Sequence, residues 1–479
     1  MITSFPANRL HSSTHSDSSP HPQCRICDWR QAIIKNGRHI LDLGLGGPAV
    51  WQRELEGHFG LLSERCTSLT ALRCDGDSMC RELFPSLKKI FVRNPELQSL
   101  EIGGLRCLEA SLVLSNLKKL VVTSELTAKD VLYLLDVFLH LEELTFVLSD
   151  RPWACLNGTE TFNTDLVRVE PSHLKRLRVL RIEGYADIGS ILSRCPNIEH
   201  ICFDGAYANA HSITDVLPSG VFSRLTSLSF HDSEAWPGLL AALPPHQLRN
   251  LSIYCIYMSK LLDILECQYM SLEHLDLSCS ITCECSMAIF TKCVALKTLK
   301  LNIPEDQLDD LRFIIFQPWG CTLLEELEFP LMLSRSFTGS PLQKLAALMK
   351  TEVPAVTDGA MLDRLVDWGQ AQDIFMERLG TLTRLRRLVL SKTSAYISWR
   401  LDSGLSRLQN LDRLEVLHLG RQQYFQGVDE LQWMKRNFPR LLKLVVSKIE
   451  DDRMLEWLLV HWPELTVVEL ANVEEGAWR

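Results

Sequence analysis

Apolar residues recur along this chain in a fixed unit: one apolar residue, two variable positions, a second apolar residue, one variable position and a third apolar residue. The last two apolar positions stand two residues apart, so in an extended segment their side chains share one face. The unit therefore predicts a short strand that is buried on one face only. Sixteen positions can begin such a unit: Leu69, Leu87, Leu97, Leu117, Leu141, Leu177, Ile198, Leu225, Leu248, Leu272, Leu296, Leu324, Leu385, Leu414, Leu441 and Leu465.

The spacing of these positions indicates one repeated structure. Most neighbouring starts lie within or near the roughly 20 to 29 residues of a leucine-rich repeat. Leu87 and Leu97 are closer than that, so we expect that only one of them begins a full repeat. This leaves about fifteen repeats.

Between the predicted strands the apolar period becomes helical. Thr127 and Asp130 have the spacing of a capping box at a helix start. One helical face then carries Val131, Leu134, Leu135 and Phe138, and near the C-terminus a similar face carries Met454, Leu455, Leu458, Leu459 and Trp462. One strand and one helix cannot bury their apolar faces alone, so neighbouring units must stack. The pattern predicts an α/β leucine-rich-repeat solenoid, curved, with a parallel sheet on the concave side and helices on the convex side.

The repeats are expected to fill residues 31–479, with insertions within 149–171 and 334–381. The second insertion includes Ala360 to Leu379, where apolar residues among charges predict a helix, either packed on the ridge of the array or part of a distorted repeat. Residues 1–30 are polar and rich in serine and histidine. They lack the apolar surface that would offset the entropy of ordering, so we expect a disordered tail.

Cysteine occupies a recurring slot three positions before the first apolar residue of four repeats. These residues are Cys66, Cys195, Cys293 and Cys321, and other repeats place large apolar residues such as Phe138 there. The alternation of cysteine with large apolar residues indicates a buried slot in which the thiol acts as a small hydrophobic group. The segment at the N-terminus does not resemble a secretory signal, so we expect reduced thiols and a cytoplasmic or nuclear protein.

The charge and hydropathy of the chain narrow the choice of partner. The net charge is −9 and the pI is about 5.9, which gives no electrostatic reason to expect nucleic acid or an anionic membrane as a partner. No stretch reaches the roughly 18 uninterrupted apolar residues of a membrane span. We therefore expect neither nucleic-acid binding nor membrane insertion.

Four segments resemble a known family. CPNIEHICF, CVALKTLKL, FPRLLKLVV and WPELTVVEL are similar to the cysteine-containing, ribonuclease-inhibitor-like leucine-rich repeats of F-box proteins, particularly the large fungal sets, and the resemblance covers about residues 35–479. In that family an N-terminal F-box of roughly 40 residues binds the Skp adaptor of a cullin ubiquitin ligase, and the repeats hold the substrate. The resemblance implies substrate recognition in an SCF-type ubiquitin ligase. Residues 1–30 contain no recognisable F-box, so a free-standing scaffold or inhibitor is the alternative.

One glycine-rich segment suggests an enzyme instead. Gly44 and Gly46 fit the pattern G-x-G-x-x-A after a predicted strand, which resembles the first motif of S-adenosylmethionine-dependent methyltransferases. That fold needs an acidic residue about 20 residues further on to bind ribose hydroxyls. The acidic residue at the end of the next predicted strand is Asp75, which is 31 residues after Gly44. We therefore expect the glycines to form the turn of the first repeat, and a methyltransferase stays a lesser alternative.

Two cysteine clusters contain side chains of the types that bind metal ions. The first combines Cys24 and Cys27 with His11, His15 and His21, and the second contains Cys279, Cys283 and Cys285. A lone C-x-x-C pair is weak evidence for zinc, and turn or core packing explains the second cluster better. No nucleophile elbow, phosphate-binding loop or zinc-protease motif occurs in the sequence. We assign no metal ligand, no cofactor and no catalytic residue.

The expected function is protein binding on the concave sheet. In the middle repeats the strand positions that alternate with leucines are predicted to point away from the core. Their signs are mixed, which favours a protein surface over a ligand of a single charge. The predicted protein-binding residues are Arg181, His200, Asp204, His231, Tyr254, His274, Asp276 and Lys300.

Overall fold

The computed structural model describes 18 stretches of the chain, and all structural statements below refer to them. They are residues 33–45, 60–74, 86–103, 114–148, 175–184, 189–192, 194–204, 222–231, 243–254, 261–279, 281, 283–302, 317–328, 368–390, 399–419, 427–446, 449 and 452–469. The chain divides into two compact units, Met1–Leu225 and Thr226–Arg479.

In the first unit seven strands run parallel in chain order. Their bounds are β1 Asp42–Leu45, β2 Ala71–Cys74, β3 Ser99–Ile102, β4 Lys119–Leu126, β5 Glu143–Leu148, β6 Val179–Gly184 and β7 His200–Asp204. Nine strands of the second unit also run parallel in chain order. They are β8 Ser227–His231, β9 Asn250–Tyr254, β10 His274–Ser278, β11 Thr298–Leu301, β12 Glu326–Glu328, β13 Arg387–Val389, β14 Val416–His418, β15 Lys443–Val446 and β16 Thr466–Glu469.

The helices of the described residues lie between strands. They are α1 Ala128–Val137, α2 Gly189–Leu192, α3 Leu261–Gln268, α4 Cys283–Lys292, α5 Trp368–Gly380, α6 Val428–Asn437 and α7 Asp452–His461. Short 3-10 turns add Gly37–His39, Leu401–Ser403 and Leu405–Leu408. In both units parallel strands follow one another in chain order, and helices lie between some of the described strands, so the prediction of an α/β leucine-rich-repeat fold is confirmed.

The core is built from ladders of leucines in register across neighbouring strands. Leu275 of β10 lies opposite Leu251 of β9 and Leu299 of β11, and each of the three is at most 1% exposed. At many steps the register is held by one backbone carbonyl that accepts hydrogen bonds from two consecutive amides of the next repeat. The amides of Glu273 and His274 both donate to the carbonyl of Arg249, at 2.8 and 2.9 Å. A one-residue slip would move every leucine to the opposite face, so the apolar pattern and these hydrogen bonds enforce the same pairing.

The helix α1 begins with the predicted capping box. The amide of Thr127 donates to Asp130 Oδ2 at 2.8 Å, and the amide of Asp130 donates to Thr127 Oγ1 at 3.3 Å. These bonds satisfy two of the backbone donors that a helix start leaves open. The predicted apolar face is buried, at Val131, Leu134, Leu135 and Phe138.

Buried amide side chains satisfy backbone groups at the turns between repeats. Asn94 is 2% exposed, accepts a hydrogen bond from the Leu69 amide at 2.8 Å and donates to the carbonyls of Cys66 and Ile90. Gln268 is also buried; its Oε1 accepts hydrogen bonds from the amides of residues 247 and 248, both at 3.0 Å. Because their buried polar atoms are paired, these amides are structural.

The structure confirms that only one of Leu87 and Leu97 begins a repeat, and it corrects the turn predicted at Gly44. Leu87 begins no strand, since it lies within helical residues 86–93, and Leu97 leads into β3. Gly44 does not form a turn: it lies inside β1, opposite Arg73 of β2. A Cβ at Gly44 would have no neighbour within 4 Å, so strand pairing, and not a need for glycine, sets its conformation. Gly46 and Asp75 lie outside the described residues.

The helix expected within Ala360–Leu379 is α5, which begins at Trp368; residues 360–367 lie outside the described part. It packs against the 3-10 turns before β14. Gln372 Nε2 donates to the carbonyl of Ser403 at 2.6 Å, and Gly404 has a φ of +98°. A Cβ at Gly404 would stand 3.1 Å from Met376 Cγ, so only glycine suits both the left-handed backbone and the close approach.

The apolar face predicted near the C-terminus is only partly buried. In α7, Met454 and Leu458 are at most 3% exposed, whereas Leu455 and Leu459 are 41% and 71% exposed. The prediction that Leu455 and Leu459 belong to the core is therefore wrong. The buried stripe of α7, which packs against α6, is therefore narrower than the apolar pattern of its sequence.

The predicted N-terminal tail, the insertion within 149–171 and residues 334–367 of the second insertion lie outside the described residues. Among the helices that the structure describes, none has the length and apolar character needed to cross a membrane.

Candidate protein-binding face

We use the term open face for the strand side chains that alternate with the buried leucines. In β10, Leu275 and Leu277 are buried, whereas His274 is exposed and Asp276 is half-buried. The same alternation runs through the described strands of β7 to β11. All eight predicted binding residues stand at open-face positions: Arg181, His200, Asp204, His231, Tyr254, His274, Asp276 and Lys300.

In the first unit the structure places three of these residues on two strands. Arg181 is exposed in β6, and its register partner on β7 is Cys202. His200 is half-buried opposite Val179, and Asp204 is exposed opposite Glu183. The pairing does not set Arg181, His200 and Asp204 opposite one another.

In the second unit three of the predicted residues form one connected cluster on successive strands. The ring of His231, at the end of β8, lies 4.3 Å from that of Tyr254 on β9, centroid to centroid, at an interplanar angle of 51°. The hydroxyl of Tyr254 donates to Asp276 Oδ2 on β10 at 2.7 Å. We call His231, Tyr254 and Asp276 the Tyr254 cluster.

Two further predicted residues border the Tyr254 cluster. Lys300 of β11 is the register partner of Asp276, and His274 precedes Asp276 by two residues, on the same face of β10. The cluster therefore lies among groups of both signs. Its ring contact and hydrogen bond hold Tyr254 from two sides, which limits the rotamers available to that side chain.

The edge beside the open face carries ion pairs between adjacent repeats. Lys297 Nζ lies 2.5 Å from Glu273 Oε2, and Arg249 Nη1 lies 3.5 Å from Glu273 Oε1. The hydrogen bond from Lys297 lowers the pKa of Glu273. Further along, Arg386 binds Glu415 through two parallel hydrogen bonds of 3.0 Å. Exposed pairs of this kind contribute little stability, but they disfavour a wrong strand register.

Sequence reasoning missed an apolar stretch of the open face on β13 to β15. Val389 and Val445 occupy open-face positions, yet they are 3% and 2% exposed. His418 of β14 is the register partner of both. Burial, followed by the nearby charges of Arg387 and Lys443, lowers the pKa of His418 to about 4. The signal was present as consecutive apolar residues, Leu388 to Leu390 and Leu441 to Val446 apart from Lys443, where alternation with polar residues was expected.

The cysteine slot is buried, as predicted. Cys66, Cys195, Cys293 and Cys321 are all 0% exposed. Burial raises the pKa of Cys66 to about 11 and the pKa values of the other three to about 12. These thiols stay protonated at neutral pH and act as packing groups.

The structure describes residues of only one of the two cysteine clusters that could bind a metal ion. Cys279 and Cys285 are buried, and the part of the chain that the structure describes contains no group of three or more histidine, cysteine or acidic residues arranged to hold a metal ion. The other cluster, with Cys24 and Cys27, lies outside the described residues together with His11, His15 and His21.

No protein-family model and no curated protein matches the chain. Comparison of structures finds a chain of the TLR13–ssRNA13 complex at 14% identity, covering 89% of this chain and 64% of that chain, with a TM-score of 0.38. A chain of the Rad7 and Elc1 complex in yeast is 14% identical over 86% of this chain and 77% of that chain, with a TM-score of 0.36. The leucine-rich repeat-containing protein LegL7 from Legionella pneumophila is 13% identical over 70% and 93% of the two chains, with a TM-score of 0.29. This chain thus spans about two thirds of the length of the TLR13-complex chain, and these likenesses concern the fold alone.

Proposed function

We propose that this protein is a protein-binding module whose partner contacts the open face of the second unit, centred on Tyr254. The observation that carries the proposal is the Tyr254 cluster, in which a half-buried tyrosine contacts the tilted ring of His231 and is hydrogen-bonded to Asp276, across three neighbouring strands. Tyrosine is among the residue types that most often dominate the energy of an interface.

The geometry of the cluster favours binding because the tyrosine is already held in place. A free tyrosine side chain loses rotamer freedom when a partner immobilises it, at a cost of about 0.5–1.5 kcal/mol for a typical interface side chain. Here the ring contact of 4.3 Å and the hydrogen bond of 2.7 Å already restrict the Tyr254 side chain in the free protein. Binding a partner therefore costs less side-chain entropy. The Tyr254 hydroxyl also keeps Asp276 as its hydrogen-bond acceptor when a partner displaces water. A partner can therefore cover the ring without leaving the hydroxyl as a buried donor that lacks an acceptor.

The charges around the cluster suit a protein surface. Asp276 faces Lys300 on the neighbouring strand, and His274 stands beside them on β10. Opposite charges at such short range fit a partner that also presents both signs, and they steer its orientation more than they add affinity.

The more specific role is substrate recognition in an SCF-type ubiquitin ligase, acting in the cytoplasm or nucleus and joined to the Skp adaptor. This part of the proposal is supported by the resemblance of the four quoted repeats to those of F-box proteins and by the buried cysteine slot that the repeats share. The second candidate is a free-standing scaffold or inhibitor that binds its partner through the same open face.

The test begins with a pull-down of the full chain from its native cells, followed by mass spectrometry. Recovery of the Skp adaptor supports ligase membership, and stable partners without the adaptor support the scaffold. The recovered partner is then titrated against wild type and Tyr254→Ala. We expect the substitution to weaken binding at least about tenfold, which corresponds to about 1.4 kcal/mol.

Tyr133→Ala provides the matched control. Tyr133 is also a half-buried tyrosine, but it lies on helix α1 and not on a strand. Thermal melts followed by circular dichroism should show that both variants remain folded. Loss of affinity in Tyr133→Ala, with binding retained in Tyr254→Ala, would place the interface on the helices and refute the proposal.

A further inference from the structure

Three exposed arginines form a row on successive repeats of the second unit. Arg384, Arg413 and Arg440 each stand immediately before the first leucine of a repeat, on the turns that lead into β13, β14 and β15. Neighbouring parallel strands are about 4.8 Å apart, so equivalent positions of stacked repeats lie close together. None of the three arginines makes an ion pair or side-chain hydrogen bond with another residue in the described part of the chain. We call them the arginine row.

The strands beside the arginine row add further positive charge and one apolar group. Arg387 is exposed at the start of β13, and Lys443 is half-buried at the equivalent position of β15. Leu442, between Arg440 and Lys443 in sequence, is 58% exposed. In the two preceding repeats its position is filled by Arg386 and Glu415, which neutralise each other.

The positive charge of this region contrasts with the negative net charge of the whole protein. Residues 381–390, 411–419 and 439–446 contain six arginines and lysines but only two carboxylates, in a chain whose net charge is −9. Like charges on neighbouring repeats repel one another, and an anionic partner relieves that repulsion. Burial and the same local charge act together on His418, whose pKa is lowered.

The positive region is also short. On one side, β12 carries Glu326 and Glu328 on the open face, and on the other side Glu464 precedes β16. The arginine row therefore covers only three repeats, about 10 Å at the usual strand spacing. An extended peptide crosses that distance with about three residues, whereas a longer polyanion such as nucleic acid would run into the flanking carboxylates.

We propose that the arginine row, together with Arg387, Lys443 and the exposed Leu442, binds an acidic segment of a partner protein that carries a large apolar side chain. Carboxylates of the segment pair with the arginines, and its apolar side chain covers Leu442. This surface uses strands other than those of the Tyr254 cluster, so the proposal does not rest on the function proposed above.

The test measures binding of a short fluorescein-labelled peptide, rich in aspartate with one central leucine, by fluorescence anisotropy with the full chain. A second peptide with asparagine in place of each aspartate controls for charge. We expect saturable binding of the acidic peptide alone, weakening as salt is added, because exposed charges are screened. The variant Arg413→Glu/Arg440→Glu should lower the affinity at least about tenfold at low salt, because the reversed charges replace two attractions to the peptide with two repulsions.

The matched control is Arg176→Glu/Arg224→Glu. Both arginines are exposed and occupy the same repeat position as those of the row, but they belong to the first unit and do not lie on successive repeats. The charge change is identical, so a general effect of net charge would appear in both variants. Circular dichroism melts verify that both variants are folded.

The proposal is overturned by no saturable binding of the acidic peptide at low salt, by equal loss of binding in the two double variants, or by unchanged binding in Arg413→Glu/Arg440→Glu. A single-stranded oligodeoxythymidylate is measured in parallel. If it binds more tightly than the peptide and loses that binding in Arg413→Glu/Arg440→Glu, the row recognises nucleic acid and the proposed partner class is wrong.

Discussion

The substitution Leu275→Asp tests the strand register on which the whole description of the open face depends. Leu275 is 1% exposed and stands in register with Leu251 and Leu299, which are buried as deeply. The substitution removes an apolar side chain from the leucine ladder and sets a carboxyl group among aliphatic neighbours.

The expected loss of stability has two parts. Removing most of a buried leucine side chain typically costs about 2–5 kcal/mol, because apolar contacts are lost and a cavity remains. A carboxyl group without a partner in that cavity adds at least about 1–3 kcal/mol, whether it stays charged or takes up a proton. The sum is comparable to the whole stability of a typical domain, about 5–15 kcal/mol. Because each repeat contacts only its neighbours, we expect the second unit to lose its cooperative structure first around β10.

The assay is urea denaturation followed by circular dichroism, with His274→Asp as the control. His274 directly precedes Leu275, is exposed, and receives the same new side chain. We expect a large fall of the unfolding midpoint for Leu275→Asp and a shift within about 0.5 kcal/mol for His274→Asp. Equal losses in the two variants would show that the assignment of buried and open positions in β10 is wrong.

Two further outcomes follow from the titrating groups. Burial raises the pKa of Cys293 to about 12, so iodoacetamide should leave Cys293 unmodified in the native protein while the exposed Cys267 reacts. Peptide mass spectrometry measures the labelling of both cysteines. Equal labelling would contradict the burial of the cysteine slot. The pKa of His418 falls from 6.5 to about 4 on folding, so its contribution to stability is fully present above pH 6.5 and is lost as the pH falls toward 4. His418→Gln should therefore lose less stability than wild type across that interval in urea titrations, and an identical loss in both proteins would exclude His418 as the cause.

Much of the fold could be read from the spacing of apolar residues. Leu272, Leu275 and Leu277 define β10 because a two-residue period has only one buried face, and the structure buries all three. The capping box at Thr127 was predicted for a similar reason, since it depends on residues three apart. Gly44 was misassigned because a glycine next to a strand favours a turn locally, whereas pairing of β1 with β2 decides its conformation.

The candidate binding residues were predicted as positions but not as a site. Alternation along each strand placed Tyr254 and Asp276 on the open face, yet nothing in their spacing indicated that the hydroxyl of one would reach the carboxylate of the other. The buried state of Val389 and Val445 was missed for a related reason. Strict alternation assigns both valines to the open face, whereas Leu388 to Leu390 and Leu444 to Val446 are continuous apolar runs.

The sequence by itself determined the repeat, the leucine face of the strands and most of the core, because each depends on residues only a few positions apart, whose geometry the backbone dictates. Only the tertiary structure decided which open-face residues meet. Tyr254 joins Asp276, Arg386 joins Glu415, and Leu459 of α7 stays exposed where Leu458 is buried. The two pairs join residues of successive repeats. Because the connections between strands vary in length, the number of residues between two positions does not show whether their side chains meet.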